Sequence, residues 1–239
     1  MFSLPTLRRL VVLSLIALSA ALVAPMGATA AVPFVFPPGT HPFGKSYGEW
    51  SAAWWKQAYA SPVTPGSPFA TGAVNCTQLG QGNVVFLVGT TPASGPVASR
   101  SCDVPAGTAL LIPLIDAECS LAIDKAVTYP ARLRCARDLM DAVDRRSLLL
   151  HIGLHGSGLG ITAPPVLLSL FRVDSPPFTW TSVDGNAFGV DPYTDNPAAA
   201  NGFFVMLAGL PRGQWDVSLG GAAPSLGFST QANYVLTVR

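Results

Sequence analysis

The segment from Cys102 to Cys119, CDVPAGTALLIPLIDAEC, constrains the fold more than any other part of the chain. A cysteine stands at each end, Pro105-Ala106-Gly107 makes a turn near its start, and Ala109 to Ile115 is an unbroken apolar run. A short apolar run bounded by turn-formers reads as a buried strand. The expectation is a central strand over residues 100 to 116 in a β-rich core, tied to its neighbours at both ends. Pro113 has no amide to give to a ladder, so an edge or a bulge is expected there.

The four cysteines, Cys76, Cys102, Cys119 and Cys135, all follow residue 30. An even number in an oxidising compartment argues for two disulfides among three possible pairings. Pairing Cys76 with Cys102 and Cys119 with Cys135 is favoured, because each pair brackets one local excursion of the chain. A cysteine metal site is the rival, and it lacks Cys-x-x-Cys spacing. The compartment follows from the first thirty residues. Arg8 and Arg9 precede an apolar run from Leu10 to Ala24, and Ala28-Thr29-Ala30 supplies small residues for a signal peptidase. The run is shorter than the roughly 20 residues of a membrane-spanning helix. Residues 1 to 30 are therefore expected to be a signal peptide, and 31 to 239 a single secreted or periplasmic β-rich domain with no membrane span after cleavage.

Charge excludes some partners. The chain carries 14 Lys and Arg against 13 Asp and Glu, with no basic stripe, so nucleic acid is not an expected partner. Charged residues make up 11%, while Gly (23) and Pro (22) are abundant. Sparse charge with many turn-formers fits a compact β-protein with ordered loops, not a disordered chain.

Ser46-Tyr47-Gly48-Glu49 is a capping box. It predicts a helix to about Ala60, ending before Pro62. Tyr47, Trp50, Trp54 and Ala58 share one face of it, with Trp55 at the edge. Strands are expected over 83 to 89, 148 to 154, 166 to 173, 203 to 207, 214 to 219 and 234 to 238. Residues 121 to 144 have helical period, with Pro130 starting the second part and a stripe of Leu133, Ala136, Leu139, Met140 and Val143. Short strands with turn-formers between them favour a sandwich over a parallel βαβ sheet. The expected fold is mainly β: a disulfide-bonded β-sandwich, jelly-roll or immunoglobulin-like, with two helical insertions.

Several of these segments form a recognisable set. They are Tyr47-Gly48-Glu49-Trp50-Ser51 with Trp54-Trp55, Phe86-Leu87-Val88-Gly89-Thr90, Cys102-Asp103-Val104-Pro105-Ala106-Gly107, and Ser175-Pro176-Pro177-Phe178. Over most of residues 45 to 239 the chain resembles a family of exported bacterial proteins with no established activity. The resemblance implies a secreted single-domain protein and carries no catalytic residues over. His155-Gly156 departs from it, Asp-Gly being expected there.

Candidate chemistry is sparse. Tyr47, Trp50 and Trp54 form the candidate ligand-binding platform, since exposed aromatic rings stack on sugars; the plainer reading docks the same stripe on a sheet. Asp116 and Glu118 lie two apart on a strand and share a side. With Glu49 as a third group they make the candidate acid/base set of an enzyme acting on extracellular polysaccharide. Asp184, Asn186, Asp191 and Asp195 are weak calcium candidates in a loop whose Asp and Asn also suit turns. His151 and His155 have chelating spacing, but Gly153 between them favours a strand or turn. Gly156-Ser157-Gly158 lacks the full nucleophile elbow. No complete catalytic set is present. The function expected is an exported, non-catalytic domain binding a ligand, such as a glycan, or a partner. An enzyme and a structural protein of the envelope are the alternatives.

Overall fold

A computed structural model describes residues 33–91 and 94–239; the expected signal peptide lies outside the described residues. In chain order the regular elements are β1 (Phe34–Val35), α1 (Tyr47–Tyr59), β2 (Gly72–Ala73), β3 (Gly80–Gln81), β4 (Val84–Phe86), β5 (Ala98–Val104) and β6 (Ala109–Cys119). Then come α2 (Leu121–Asp124), α3 (Tyr129–Asp141), β7 (Leu149–Leu154), β8 (Gly160–Thr162), α4 (Pro165–Leu168), β9 (Arg172–Asp174) and β10 (Phe178–Thr181). Three long strands close the chain: β11 (Thr194–Ala208), β12 (Gly213–Ala223) and β13 (Phe228–Val238).

They make two sheets. The first has the order β1-β11-β6-β4-β3, with β9 and β10 also pairing with β11. The second has the order β2-β5-β13-β12-β7-β8. The sheets meet across a shared core; Gly221 of β12 lies so close to Ile115 of β6 that a Cβ there would sit 2.8 Å from the isoleucine methyl. The fold is thus the expected disulfide-bonded sandwich with two helical insertions, α1 and α2–α3. It is mixed in direction, since β13 runs parallel to β5, β2 to β5 and β4 to β6.

The expected single strand over 100 to 116 is two strands in two sheets. Pro105-Ala106-Gly107 ends β5 in the second sheet and starts β6 in the first. Gly107 takes φ 80°, a left-handed conformation that suits a residue without Cβ. The Ala106 amide donates to the Arg239 carbonyl at 2.8 Å, and this bond holds the turn against the end of β13. The apolar character of the segment comes from lying in the interior twice, once in each layer.

Both favoured disulfides form. Cys76–Cys102 has a Cα–Cα distance of 5.8 Å and Cys119–Cys135 one of 6.1 Å. Each closes a loop worth about 3 kcal/mol in the loop-entropy model. The first secures the chain before β3 to the second sheet; the second ties β6 to α3.

The helices follow their signals. Ser46 accepts from the Glu49 amide, and the Glu49 carboxylate accepts from the Ser46 amide at 2.7 Å. Thr128 caps α3 by accepting from the Ala131 amide, with Pro130 in the first turn. Residues 166 to 173 depart from the expected strand. Pro164-Pro165 begins a helical turn instead, and only Arg172–Asp174 pairs, with β11. Proline's fixed φ suits a first helical position, and that local preference prevails over the apolar run behind it. No described helix is long and apolar enough to cross a membrane.

One buried ion pair locks the α2–α3 insertion to β11. Arg132 donates to Asp195 at 2.6 Å, and the other Asp195 oxygen accepts from the Leu121 and Ala122 amides. Both side chains are sealed from solvent, so removing one charge strands the other in the core. Urea unfolding of Asp195→Asn is expected to show a loss of about 3–5 kcal/mol. A loss below about 1 kcal/mol would mean that water reaches Arg132.

Candidate functional site

Strand β6 positions the site through its proline. Its register with β11 slips by one residue, Phe204 opposing Pro113 and Phe203 opposing Ile115, so Leu114 is the extra residue of a bulge. A one-residue bulge reverses which side chains face which way. Asp116 and Glu118, opposite Gly202 and Ala200, consequently share the face of Leu111 and Pro113, opposite Met206 and Phe204. That face receives α1: the Tyr47 hydroxyl accepts from the Met206 amide, and the Tyr59 hydroxyl donates to Glu118. Without the bulge both carboxylates would point at the second sheet.

The two acids then meet different surroundings. Glu118 is buried and saturated: Tyr59 Oη donates to one oxygen and Trp180 Nε1 to the other, both at 2.9 Å. The rings of Tyr59 and Trp180 stack above it with centroids 4.1 Å apart. Burial pushes its carboxyl up to about 7, against the pull of those two bonds.

Asp116 has no such partners. None of the described side-chain hydrogen bonds or ion pairs includes it, and its Oδ2 is shielded from solvent. Burial alone raises its carboxyl to about 7. Room for it exists because residue 202 is glycine; a Cβ there would lie 2.3 Å from the Asp116 Cβ.

Asp116 lies on the wall of a cavity of about 180 Å³ between α1, the start of β13 and the chain leaving β4. Trp54 and Trp55 come from α1, Phe188 from the loop after β10, and Phe228 and Thr230 from β13. Gly89, Thr90 and Thr91 close another side. Gly89 is needed for that approach, since a Cβ would stand 2.4 Å from Thr230 Oγ1, the atom that accepts from the Thr90 amide. Five buried side-chain polar atoms among the described residues lack a hydrogen-bond partner: Ser51 Oγ, Ser120 Oγ, Trp55 Nε1, Thr91 Oγ1 and Asp116 Oδ2. The last three all belong to walls of this cavity. Buried polar groups are nearly always paired, so three unpaired ones around one space mark it out.

The expected candidates fare unevenly. Tyr47, Trp50 and Trp54 form no exposed platform. They are 3%, 2% and 4% exposed, and their polar tips are used internally: Tyr47 on Phe36 O, Trp50 on Pro42 O, Trp54 on Leu87 O. Area burial wins, because aromatic rings at this spacing dock the helix; only Trp54 reaches the cavity.

The carboxylate trio is not assembled either. Glu49 caps α1 and borders a separate surface groove, Glu118 is sealed, and Asp116 alone lines the cavity. Among the calcium candidates, Asp195 pairs with Arg132 and Asn186 closes its own loop, donating to Val183 O and accepting from the Phe188 amide. They bring no three acidic oxygens together. The one close group of three metal-capable side chains among the described residues is Cys119, Asp124 and Cys135, and its two sulfurs are joined in the disulfide. His151 and His155 lie on and just after strand β7, bonded to Thr162 and Asp216 respectively. Ser157 sits in the β7–β8 turn and donates to Leu154 O. Thr91, Phe188, Phe228 and Thr230 carry no sequence signal, because distant parts of the chain bring them together.

No family model matches the chain, and neither does a curated protein. Among solved structures, a chain from the "Structure of PbICP-C in complex with falcipain-2" aligns over 66% of this chain and 100% of that one, at 11% identity and a TM-score of 0.25. A likeness that slight carries no argument about fold or function.

The raised Asp116 carboxyl has a definite consequence for stability. Its folded value of about 7 lies above the unfolded value near 3.8, so its contribution is fully present below about pH 4 and is lost as pH rises through 7. Asp116→Asn removes this. Relative to the wild type, the variant is expected to gain in Tm between pH 5 and pH 8, with Glu118 keeping its own slope in both proteins. Parallel Tm-against-pH curves would show that Asp116 is ionised and solvated throughout.

Proposed function

We propose that this protein is an exported, non-catalytic domain that binds a small ligand in the cavity walled by Trp54, Trp55 and Asp116. The observation that carries the reading is that Trp55, Thr91 and Asp116, three residues lining one aromatic space, each hold a buried polar atom without a partner: Nε1, Oγ1 and Oδ2. Binding sites are concave and mostly apolar, with a few convergent polar groups, and this one has that make-up. Two disulfides fit an oxidising compartment, and so do the signal-like first thirty residues and the resemblance to exported bacterial proteins. A polysaccharide-cleaving enzyme needs a second free carboxylate beside Asp116. Glu118 and Glu49 are each committed elsewhere, so binding is the better account.

A second reading, assembly through a sheet edge, is favoured by one observation. Strand β8 ends the second sheet with all three residues exposed; Ile161 on it is 77% exposed, and Leu159 and Val166 beside it are 72% and 71%. Such edges are templates for pairing. Self-association that Ile161→Lys abolishes would favour this role.

The binding reading is tested by screening small polar fragments through tryptophan fluorescence and Tm. The expected result is saturable binding that Trp55→Phe weakens about tenfold, the worth of one hydrogen bond of about 1.4 kcal/mol. A fragment screen without hits, together with a high-resolution structure in which fixed waters satisfy all three atoms, would overturn it.

A further inference from the structure

Several acids of this chain are paired from within. Asp195 has Arg132, Asp174 has Arg137, Asp141 has Arg172, Asp103 has Arg239 and Asp216 has His155. Glu118 takes two donors from Tyr59 and Trp180. Asp116 differs in that one carboxylate oxygen, Oδ2, is shielded from solvent without a hydrogen-bond partner. No described Lys, Arg or His forms an ion pair with it; the residue is half-buried, and a shielded carboxylate oxygen without a partner is costly. The buried guanidinium of Arg100 is spent on the carbonyls of Val88, Gly89 and Ala70.

The walls beside Asp116 suit one kind of visitor. Trp54 and Trp55 meet at right angles, centroids 5.0 Å apart, and Phe188 adds a third ring 5.2 Å from Trp55. Indole faces attract cations more strongly than other rings, the more so when water is excluded. A metal ion is a poor match, since hard cations take six or more oxygens and one carboxylate stands here. An anion would meet Asp116 directly.

Resting on the binding reading above, we infer that the ligand is a small organic ammonium compound bearing a hydroxyl or carbonyl oxygen. Its cationic head sits between Asp116 and the Trp54–Trp55 corner, and its oxygen accepts from Trp55 Nε1 or bonds Thr91 Oγ1. At least one of the unpaired neutral groups is thereby used along with the charge. The cavity of about 180 Å³ is smaller than the roughly 300–1,000 Å³ of drug-sized sites, which fits a compact amine or amino alcohol.

The test titrates the protein with choline, with tetramethylammonium, which lacks the hydroxyl, and with 3,3-dimethylbutan-1-ol, the uncharged counterpart of choline. Choline is expected to bind saturably, and the neutral alcohol at least tenfold more weakly. Asp116→Asn, with its Tm retained, should bring choline down to the level of the alcohol. Trp55→Phe keeps an aromatic ring and supplies a second readout should Asp116→Asn fold poorly: it should weaken choline several-fold more than tetramethylammonium, because only choline also loses the Nε1 hydrogen bond. Equal binding of choline and the alcohol by the wild type overturns the cation inference while cavity binding stands. So does binding of neutral or acidic fragments with no ammonium probe bound. If no probe or fragment of any charge binds, the underlying reading falls with it.

Discussion

Residue 113 has no amide hydrogen, and much of the architecture is arranged around that lack. In the parallel register of β4 and β6, Leu87 donates to Leu111 O, and the amide of residue 113 would serve Leu87 O in return. Proline leaves that carbonyl unserved. Trp54 Nε1 donates to it at 2.9 Å instead, so a helix side chain completes a sheet ladder. A buried carbonyl without a donor costs about 1–3 kcal/mol, and this contact ties α1 to the point where β4 stops. The neighbouring bulge turns Asp116 and Glu118 towards the same helix. One imino acid thus ends a ladder, recruits the helix and places the carboxylates under it.

Low charge content shapes the energetics. In a chain with 11% charged residues, few ions are available to compensate a buried one, and most of the buried ionisable groups have specific partners. Arg132 has a carboxylate and Arg100 a ring of carbonyls and the Tyr234 hydroxyl; Glu118 has two neutral donors. Against this thrift Asp116 stands out. Replacing it by an apolar residue would remove no side-chain hydrogen bond seen among the described residues.

Local rules in the sequence were reliable where the chain obeys them locally. The Ser46–Glu49 box, the Pro130 helix start, the Pro113 bulge and both disulfide pairings follow from spacing alone. Two errors have a common cause. Residues 100 to 116 look like one strand because both layers of a sandwich bury the same residue types, and periodicity does not record a change of sheet. Residues 166 to 173 look like a strand because the apolar run conceals the helix start at Pro165. The site was half legible: Asp116, Trp54 and Trp55 were visible as types worth noting. Their joining with Thr91, Phe188 and Thr230 was not, since tertiary contacts across up to 176 positions of chain leave no local pattern. The aromatic stripe misled for a related reason, as a ring suited to stacking on sugar is equally suited to a core.

The position of β13 has a consequence for how the molecule is completed. It enters between β5 and β12, pairing parallel with one and antiparallel with the other. Both neighbours precede it in the chain, so until residues 228 to 238 exist each presents a bare row of amides and carbonyls. Thr230 and Tyr234 on the same strand also hold the Thr90 and Val88 amides. The second sheet and the cavity wall are therefore finished in one late, non-local event of the kind that makes folding slow. During that interval, the nascent chain has a split sheet that only β13 can close.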